Sequence, residues 1–406
     1  MSDTKFPTLN RFLAAAKPSA TYRVMDRVAV RRASGAAVIS LSAGEPDFDT
    51  PQHVCEAGIA AIREGHTRYT QVAGLRALRE AIAGKFQREN RLDVDWRDTL
   101  VCSGGKQVIF NALAATLNEG DEVIVPAPYW VSYPEIVQLC GGSAVTVQCG
   151  AQTGFKLTAD ALHAAITPRT RWLILNSPSN PTGAVYSRAE LQQLAQVLLA
   201  HPHVLVLSDD IYEHLIFDGL EFFTLAQVEP RLRERVLTMN GVSKAYAMTG
   251  WRIGFCTGPR WLIDAMEKLQ GQQTSGASTI SQHAALAALS GPQDFVERSR
   301  RVFQQRRNLV VDQLNKAPGM RCETPQGAFY AFASCDGLIG KTTRGGAYLK
   351  DDEAVASALL DETDVATVHG SAFGLGPYIR IAYALDDVSL RHACAAIQNF
   401  CHTLAE

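Results

Sequence analysis

The chain has 406 residues, enough for two domains, and is 47% hydrophobic and 20% charged, as globular proteins with sizeable cores are. Its net charge of −2, from 39 basic and 41 acidic residues, argues against a nucleic-acid or membrane partner. Nine scattered cysteines without a C-x-x-C pair read as reduced thiols of a cytosolic protein, not as a disulfide frame or a metal site. The five-residue apolar patch at 12–16 is too short for a signal-peptide core, and no run reaches the roughly 18 apolar residues of a membrane span.

Residues 1–43 read as an arm leading into a small domain. Lys17-Pro18-Ser19-Ala20-Thr21 is predicted to bend, because the residue before a proline avoids helical geometry. A helix over 25–33 and a short strand over 38–41 follow. In Ser42-Ala43-Gly44-Glu45-Pro46-Asp47-Phe48, Gly44 lets backbone approach a ligand closely, or is an ordinary turn glycine. Tyr69 lies on a loop before a helix whose apolar face carries Leu75, Leu78, Ile82 and Phe86.

A strand over 99–102 runs into Ser103-Gly104-Gly105-Lys106-Gln107 and a helix through 117. A strand, a glycine pair and a helix N-terminus make an anion site, or merely a tight turn. The strand over 122–125 leads to Trp130, a flat surface for an aromatic ring or for the core. The strand over 171–175 enters the proline-stiffened loop that holds Asn180. After a helix over 191–199, the strand over 204–207 ends in Ser208-Asp209-Asp210-Ile211-Tyr212. A carboxylate there needs a positive partner, and a pyridinium nitrogen, a helix N-terminus or a salt bridge would serve. Tyr212 is placed to share an oxygen with Asn180.

Val236-Leu237-Thr238-Met239-Asn240 reads as a buried strand, putting Lys244 just beyond a strand end, where open α/β sheets bind ligands. A lysine desolvated there has a lowered pKa and can attack an aldehyde. Arg252, in apolar company, suits a phosphate. An aldehyde and a phosphate on one small molecule describe pyridoxal 5′-phosphate (PLP); a solvated loop lysine is the plainer alternative. Farther on come a strand over 253–257, a helix over 259–270 and a long helix over 295–315. Strands then open at 327–330 and run over 379–383, where Arg380, between two isoleucines, needs an anion such as a substrate carboxylate or an internal partner.

Taken together, these stretches resemble the class I aminotransferases of PLP fold type I, closest to the bacterial aspartate/prephenate subgroup. The likeness runs from Lys17 to Tyr383 and is carried by Ala43-Gly44-Glu45-Pro46-Asp47-Phe48, Ser103-Gly104-Gly105-Lys106-Gln107, Pro128-Tyr129-Trp130-Val131-Ser132-Tyr133-Pro134, Asn180-Pro181-Thr182-Gly183, Ser208-Asp209-Asp210-Ile211-Tyr212, Ser243-Lys244 with Gly250-Trp251-Arg252, and Arg380. The resemblance implies an α/β fold with a mostly parallel seven-stranded sheet flanked by helices, plus a smaller α+β domain. Its divisions would be 1–48 (arm and part of the small domain), 49–295 (large PLP domain) and 296–406 (small domain).

It further implies that Lys244 carries PLP as a Schiff base and that Asp209 pairs with the pyridine nitrogen. Asn180 and Tyr212 would hold the phenolic oxygen, Trp130 would stack on the ring, and Gly104, Gly105, Lys106, Ser243 and Arg252 would bind the phosphate. Tyr69 would reach the phosphate of the partner subunit in a homodimer with shared active sites, and Gly44 and Arg380 would hold the substrate α-carboxylate. Lys17, Thr21 and Lys106 would surround a distal carboxylate, favouring aspartate or glutamate, with prephenate also conceivable as an oxo-acid substrate. The loop 272–278 has no arginine, which leaves room for aromatic or alanine-type substrates. A PLP β-lyase on the same scaffold and a regulator's PLP-binding module are rival readings; no basic helical domain precedes residue 17 to support the second.

Overall fold

The computed structural model describes residues 9–405; the first eight residues of the expected arm, and Glu406, lie outside them. Its centre is a seven-stranded sheet in the order Thr99–Cys102, Gly254–Thr257, Val236–Gly241, Leu205–Asp209, Thr170–Asn176, Glu122–Ala127, Ser143–Gln148. Gly254–Thr257 runs antiparallel to both neighbours and the other strands share one direction. Thr99–Cys102, Thr170–Asn176, Leu205–Asp209 and Val236–Gly241 are buried along nearly their whole length, which is why they read as continuous apolar runs rather than alternating ones. Their carboxyl ends share one edge, and Cys102, Asn176, Asp209 and Gly241 all finish there.

One face of the sheet packs on Val108, Ile109, Tyr133, Val137 and Met266. Gln52–Arg63, Arg76–Asn90 and Thr279–Ser290 form a helical layer, with the predicted Leu78, Ile82 and Phe86 fully buried in it. The 21-residue helix Asp294–Leu314 then leads to a four-stranded antiparallel sheet ordered Val368–His369, Tyr378–Ala382, Tyr330–Ser334, Arg321–Cys322. Ile39–Ser40 pairs in parallel with Val365–Ala366, which ties the N-terminal segment to this C-terminal unit.

Several boundaries differ from expectation: the strand expected to open at 327 begins at Tyr330, the helix expected over 259–270 is Arg260–Gln273, and two shifts bear on the site. The helix expected over 25–33 is Ala20–Ala33, so the bend ends at Ser19 and Thr21 lies in the first helical turn. The proline restricts only the residue before it, and nothing after Ser19 opposes helix. The helix expected through 117 ends at Ala114, before the Asn118-Glu119-Gly120-Asp121 turn.

Candidate active site

A cavity of about 510 Å³ opens at the carboxyl edge of the large sheet, lined by residues from both sheets and from the N-terminal segment. At one end the Gly105–Ala114 helix begins directly behind the Thr99–Cys102 strand. Gly104 turns the chain with φ of 88°, and no side chain caps the helix, so its first N–H groups face an anion position. A Cβ on Gly104 would lie 2.3 Å from Arg252 Nη2, which makes this glycine the condition for the guanidinium's position. Arg252 itself has φ of 59° and donates through Nη1 to Thr249 O at 2.9 Å. Ser243, buried, lines the same region.

Farther in, the Leu205–Asp209 strand delivers a buried carboxylate. Tyr133 Oη donates to Asp209 Oδ2 at 2.5 Å, and the Ile211 N–H to Oδ1 at 3.3 Å. Burial pushes the Asp209 carboxyl up to about 6, against the Tyr133 and Ile211 hydrogen bonds and the charge of Lys244. Beside it stands Trp130, edge-on to Tyr133 at 5.4 Å, with the Lys106 ammonium 4.9 Å from its ring. Tyr212 Oη bonds Tyr330 Oη at 2.8 Å.

Lys244 follows the Val236–Gly241 strand and donates to Gly44 O. Its amine lies in the cavity wall, and desolvation lowers its pKa to about 8; Glu45 and Asp209 oppose that shift, while Arg252 and Arg380 add to it. Arg380, on the Tyr378–Ala382 strand, is buried; it donates to Asn180 Oδ1 at 3.1 Å and to Ser42 O at 2.6 Å, while its Nε has no partner among the described residues. Two neighbouring donors of one guanidinium held at a cavity wall suit a carboxylate.

Gly44, Gly105, Lys106, Thr21, Trp130, Asn180, Asp209, Tyr212, Ser243, Lys244, Arg252 and Arg380 thus all line one cavity, and Gly104 shapes it. Lys17 and Tyr69 do not line it. Lys17 is exposed, with its N–H bonded to Glu135 Oε2 at 2.6 Å, and Tyr69 is 92% exposed on its loop. Asn180 Oδ1 receives Arg380, and the Tyr212 hydroxyl bonds that of Tyr330, not Asn180.

Sequence reasoning gave no role to Tyr133, Tyr330 or Glu45, all of which line the cavity. Tyr133 lies three residues after Trp130, in the first turn of the Ser132–Leu139 helix, and its N–H bonds Trp130 O at 2.9 Å. Tyr330 was expected only to open a strand; the register Phe332↔Arg380 sets it diagonally beside Arg380, whose guanidinium lies 4.7 Å from its ring.

The aminotransferase class I and II family matches residues 36–397. This chain belongs to that family. The aminotransferase is 57% identical over 397 residues to the aspartate/prephenate aminotransferase of Cereibacter sphaeroides, covering 98% of this chain and 99% of that one. The crystal structure of the aspartate aminotransferase from Rhizobium meliloti superposes with a TM-score of 0.96 at 50% identity, covering 98% of this chain and 100% of that one. The Thermus thermophilus aspartate aminotransferase with maleate gives 0.91 at 41% identity, covering 97% and 100%. The fold is that of the PLP-dependent transferases of fold type I, and PLP is the cofactor of this aminotransferase.

The residues present fit that group. The bare helix N-terminus, Ser243 and Arg252 supply donors for a phosphate, Asp209 supplies a buried anion for a ring nitrogen, and Lys244 supplies an amine of lowered basicity for an aldehyde.

Proposed function

We propose that this PLP-dependent aminotransferase moves an amino group between a dicarboxylic L-amino acid, aspartate or glutamate, and a 2-oxo acid, with prephenate as a further acceptor. The observation that carries the reading is that Lys106 lines the cavity together with Arg380, beyond the two cations given to the cofactor, Lys244 and Arg252. Two fixed cations match the two carboxylates of such a substrate. Thr21 lies in the same wall. The names of the relatives, aspartate/prephenate and aspartate aminotransferase, and the maleate of the Thermus thermophilus protein, itself a dicarboxylate, support the same substrate class.

When bound, PLP supplies an aldehyde for the amino group and a ring that accepts electrons. Arg380 and the Gly44 backbone hold the substrate α-carboxylate and so aim its Cα hydrogen at Lys244. The Lys244 amine takes that proton and returns it during the exchange; a base held in place can contribute about 10²–10⁴-fold. Asp209 keeps a positive charge on the ring nitrogen, Tyr212 and Asn180 donate to the ring oxygen, and Trp130 covers the ring face. The backbone turn Gly104–Lys106, Ser243 and Arg252 hold the phosphate, which leaves the Lys106 ammonium for the distal carboxylate. Tyr69, exposed in one protomer, reaches the phosphate site of the other in a homodimer. Lys17, exposed two residues before the cavity-lining Ser19, belongs to the outer rim of the distal pocket.

Residues 49–295 form the PLP-binding domain, 296–406 the small domain, and 1–48 the arm with part of the small domain; the pairing of Ile39–Ser40 with Val365–Ala366 supports this division. Among the described residues no helix is long and apolar enough to cross a membrane. The nine free cysteines favour a reducing compartment, the cytoplasm. Comparing kcat/KM for L-aspartate, L-alanine and L-phenylalanine in wild type and Lys106→Ala tests the substrate class. The account expects aspartate to lead in wild type and to lose most in the variant; an equal loss for all three donors would reject Lys106 as the distal contact.

A further inference from the structure

Behind the cavity lies a second group of buried charges. Lys85 and Asn90 belong to the last turns of the Arg76–Asn90 helix, and Glu213 to the turn that follows the Leu205–Asp209 strand. The side chains of Lys85 and Glu213 are 1% and 4% exposed, and Asn90 is equally buried. The Lys85 ammonium donates to Glu213 Oε1 and, at 2.7 Å, to Asn90 Oδ1, while Asn90 Nδ2 donates to Glu213 Oε2 at 2.7 Å. Glu89 stands 3.6 Å from Lys85 Nζ and 2.9 Å from His214 Nε2. Glu89, Glu213 and His214 are near enough to one another to share a metal ion, but the Lys85 ammonium already sits between the two carboxylates, so the cation here is the protein's own.

A buried ion pair is a poor way to gain stability, since desolvation offsets much of the attraction and apolar side chains of similar volume would serve as well. What this one provides is a single geometry. Both oxygens of Glu213 are engaged by donors from one helix, and each donor is fixed by the other. Glu213 shares a compact turn with Asp209, Ile211 and Tyr212, which line the cavity. Its N–H bonds Asp210 O at 2.9 Å, the Leu215 N–H bonds Tyr212 O at 2.8 Å, and the Ile211 N–H bonds Asp209 Oδ1 at 3.3 Å. Asp209 and Tyr212 line the cavity, while Glu213 reaches the helix behind it.

We propose that Lys85, Asn90 and Glu213 are positioning residues that clamp the Asp209–Tyr212 turn to the Arg76–Asn90 helix and thereby set where the carboxylate and the phenol meet the cofactor ring. The inference rests on the assignment of Asp209 and Tyr212 to that ring. A clamp of this kind acts on geometry, and a misplacement of about 1 Å can cost about 10²-fold in rate.

The test compares full-length wild type with Lys85→Met, Asn90→Ala and the double variant Lys85→Met/Glu213→Gln, measuring melting temperature, the dissociation constant for PLP, kcat and KM. The single variants are expected to lower kcat about 10- to 100-fold and to weaken PLP binding, with KM for the amino donor little changed. The double variant removes both charges at once, so its melting temperature should return toward wild type while kcat and PLP affinity stay low. Recovery of kcat and PLP affinity in step with melting temperature would show a stabilising contact only and would overturn the proposal. So would wild-type kcat and PLP affinity in the single variants. Should Lys85→Met not fold, Asn90→Ala, which leaves the ion pair in place, decides the matter. Asp209→Ala serves as the control: wild-type PLP affinity and kcat there would overturn the assignment of Asp209 itself, not the clamp alone.

Discussion

Tyr133 donates its hydroxyl to Asp209 Oδ2 at 2.5 Å, inside the protein and beneath the cavity. Burial raises the Asp209 carboxyl to about 6, and the Tyr133 bond works against that rise by favouring the charged form. Tyr133→Phe removes the donor, so the carboxyl moves higher and less of it is ionised near neutral pH. A hydrogen bond to a charged group contributes about 1.5–3 kcal/mol, so PLP affinity should fall about tenfold or more. The sign fixes the pH trend. The variant's deficit should be larger at about pH 6 than at about pH 8, where Asp209 ionises even without the phenol. PLP titrations of apoprotein at both pH values check this, and a deficit independent of pH would contradict it.

Lys244 carries the opposite consequence. Burial holds its amine at about 8, below its unfolded value, so the unfolded chain binds more protons across that window. Stability from this group is therefore lacking at neutral pH and rises as pH climbs from about 8 toward the ordinary lysine range near ~10.4. Apoprotein Lys244→Met should melt above wild type at neutral pH, with the gap closing as pH rises through that window, while transamination drops by about 10³-fold or more. In wild-type apoprotein, the rate of covalent PLP uptake should rise with pH about a midpoint near 8. Thermal melts and stopped-flow uptake measure both; a midpoint in the ordinary lysine range would remove the claim that Lys244 is desolvated.

Gly104 has φ of 88°, and a Cβ there would meet Arg252 Nη2 at 2.3 Å and Cζ at 2.8 Å. Gly104, at φ 88° and ψ 161°, occupies a region open essentially to glycine alone, so Gly104→Ala combines a backbone penalty of roughly 1–3 kcal/mol with displacement of the guanidinium. PLP should bind at least about tenfold more weakly, since its phosphate loses a charge-assisted contact. Equilibrium dialysis against PLP reads the effect, and unchanged affinity would mean that Arg252 does not hold the phosphate.

Arg380 presents two donors already fixed by Asn180 Oδ1 and Ser42 O, and among the described residues its Nε lacks a partner. Lysine keeps the charge and loses the fork. Arg380→Lys should raise KM for the amino acid and for the oxo acid together, by about 10–100-fold, because both present the same carboxylate. PLP affinity should change little. Steady-state kinetics with both substrates varied decides; a rise for only one of them would place Arg380 elsewhere.

Much of this site could be read from the sequence because its residues stand at strand ends. Asp209, Asn180 and Lys244 each follow an apolar run, and the run betrays both the strand and the position of the polar residue after it. Arg380 stood out as a lone charge on an apolar strand for the same reason. What stayed hidden depends on pairing between distant segments. Tyr133 becomes meaningful only once its helix packs beneath Asp209, 76 residues later. Lys85 and Glu213 are 128 residues apart, and each alone looks like a solvated charge. The helix start at Ala20 was missed because the proline signal reaches only one residue back.

The most direct test of the central claim separates the two halves of the exchange. PLP-loaded protein is mixed with L-aspartate alone, and the visible absorbance of the bound cofactor and the oxaloacetate released are followed. 2-Oxoglutarate is then added. The visible band should be lost with one oxaloacetate formed per active site, and should return when 2-oxoglutarate arrives, as a ping-pong exchange requires. A visible band that no amino acid donor alters, or transamination that persists in Lys244→Ala, would contradict it.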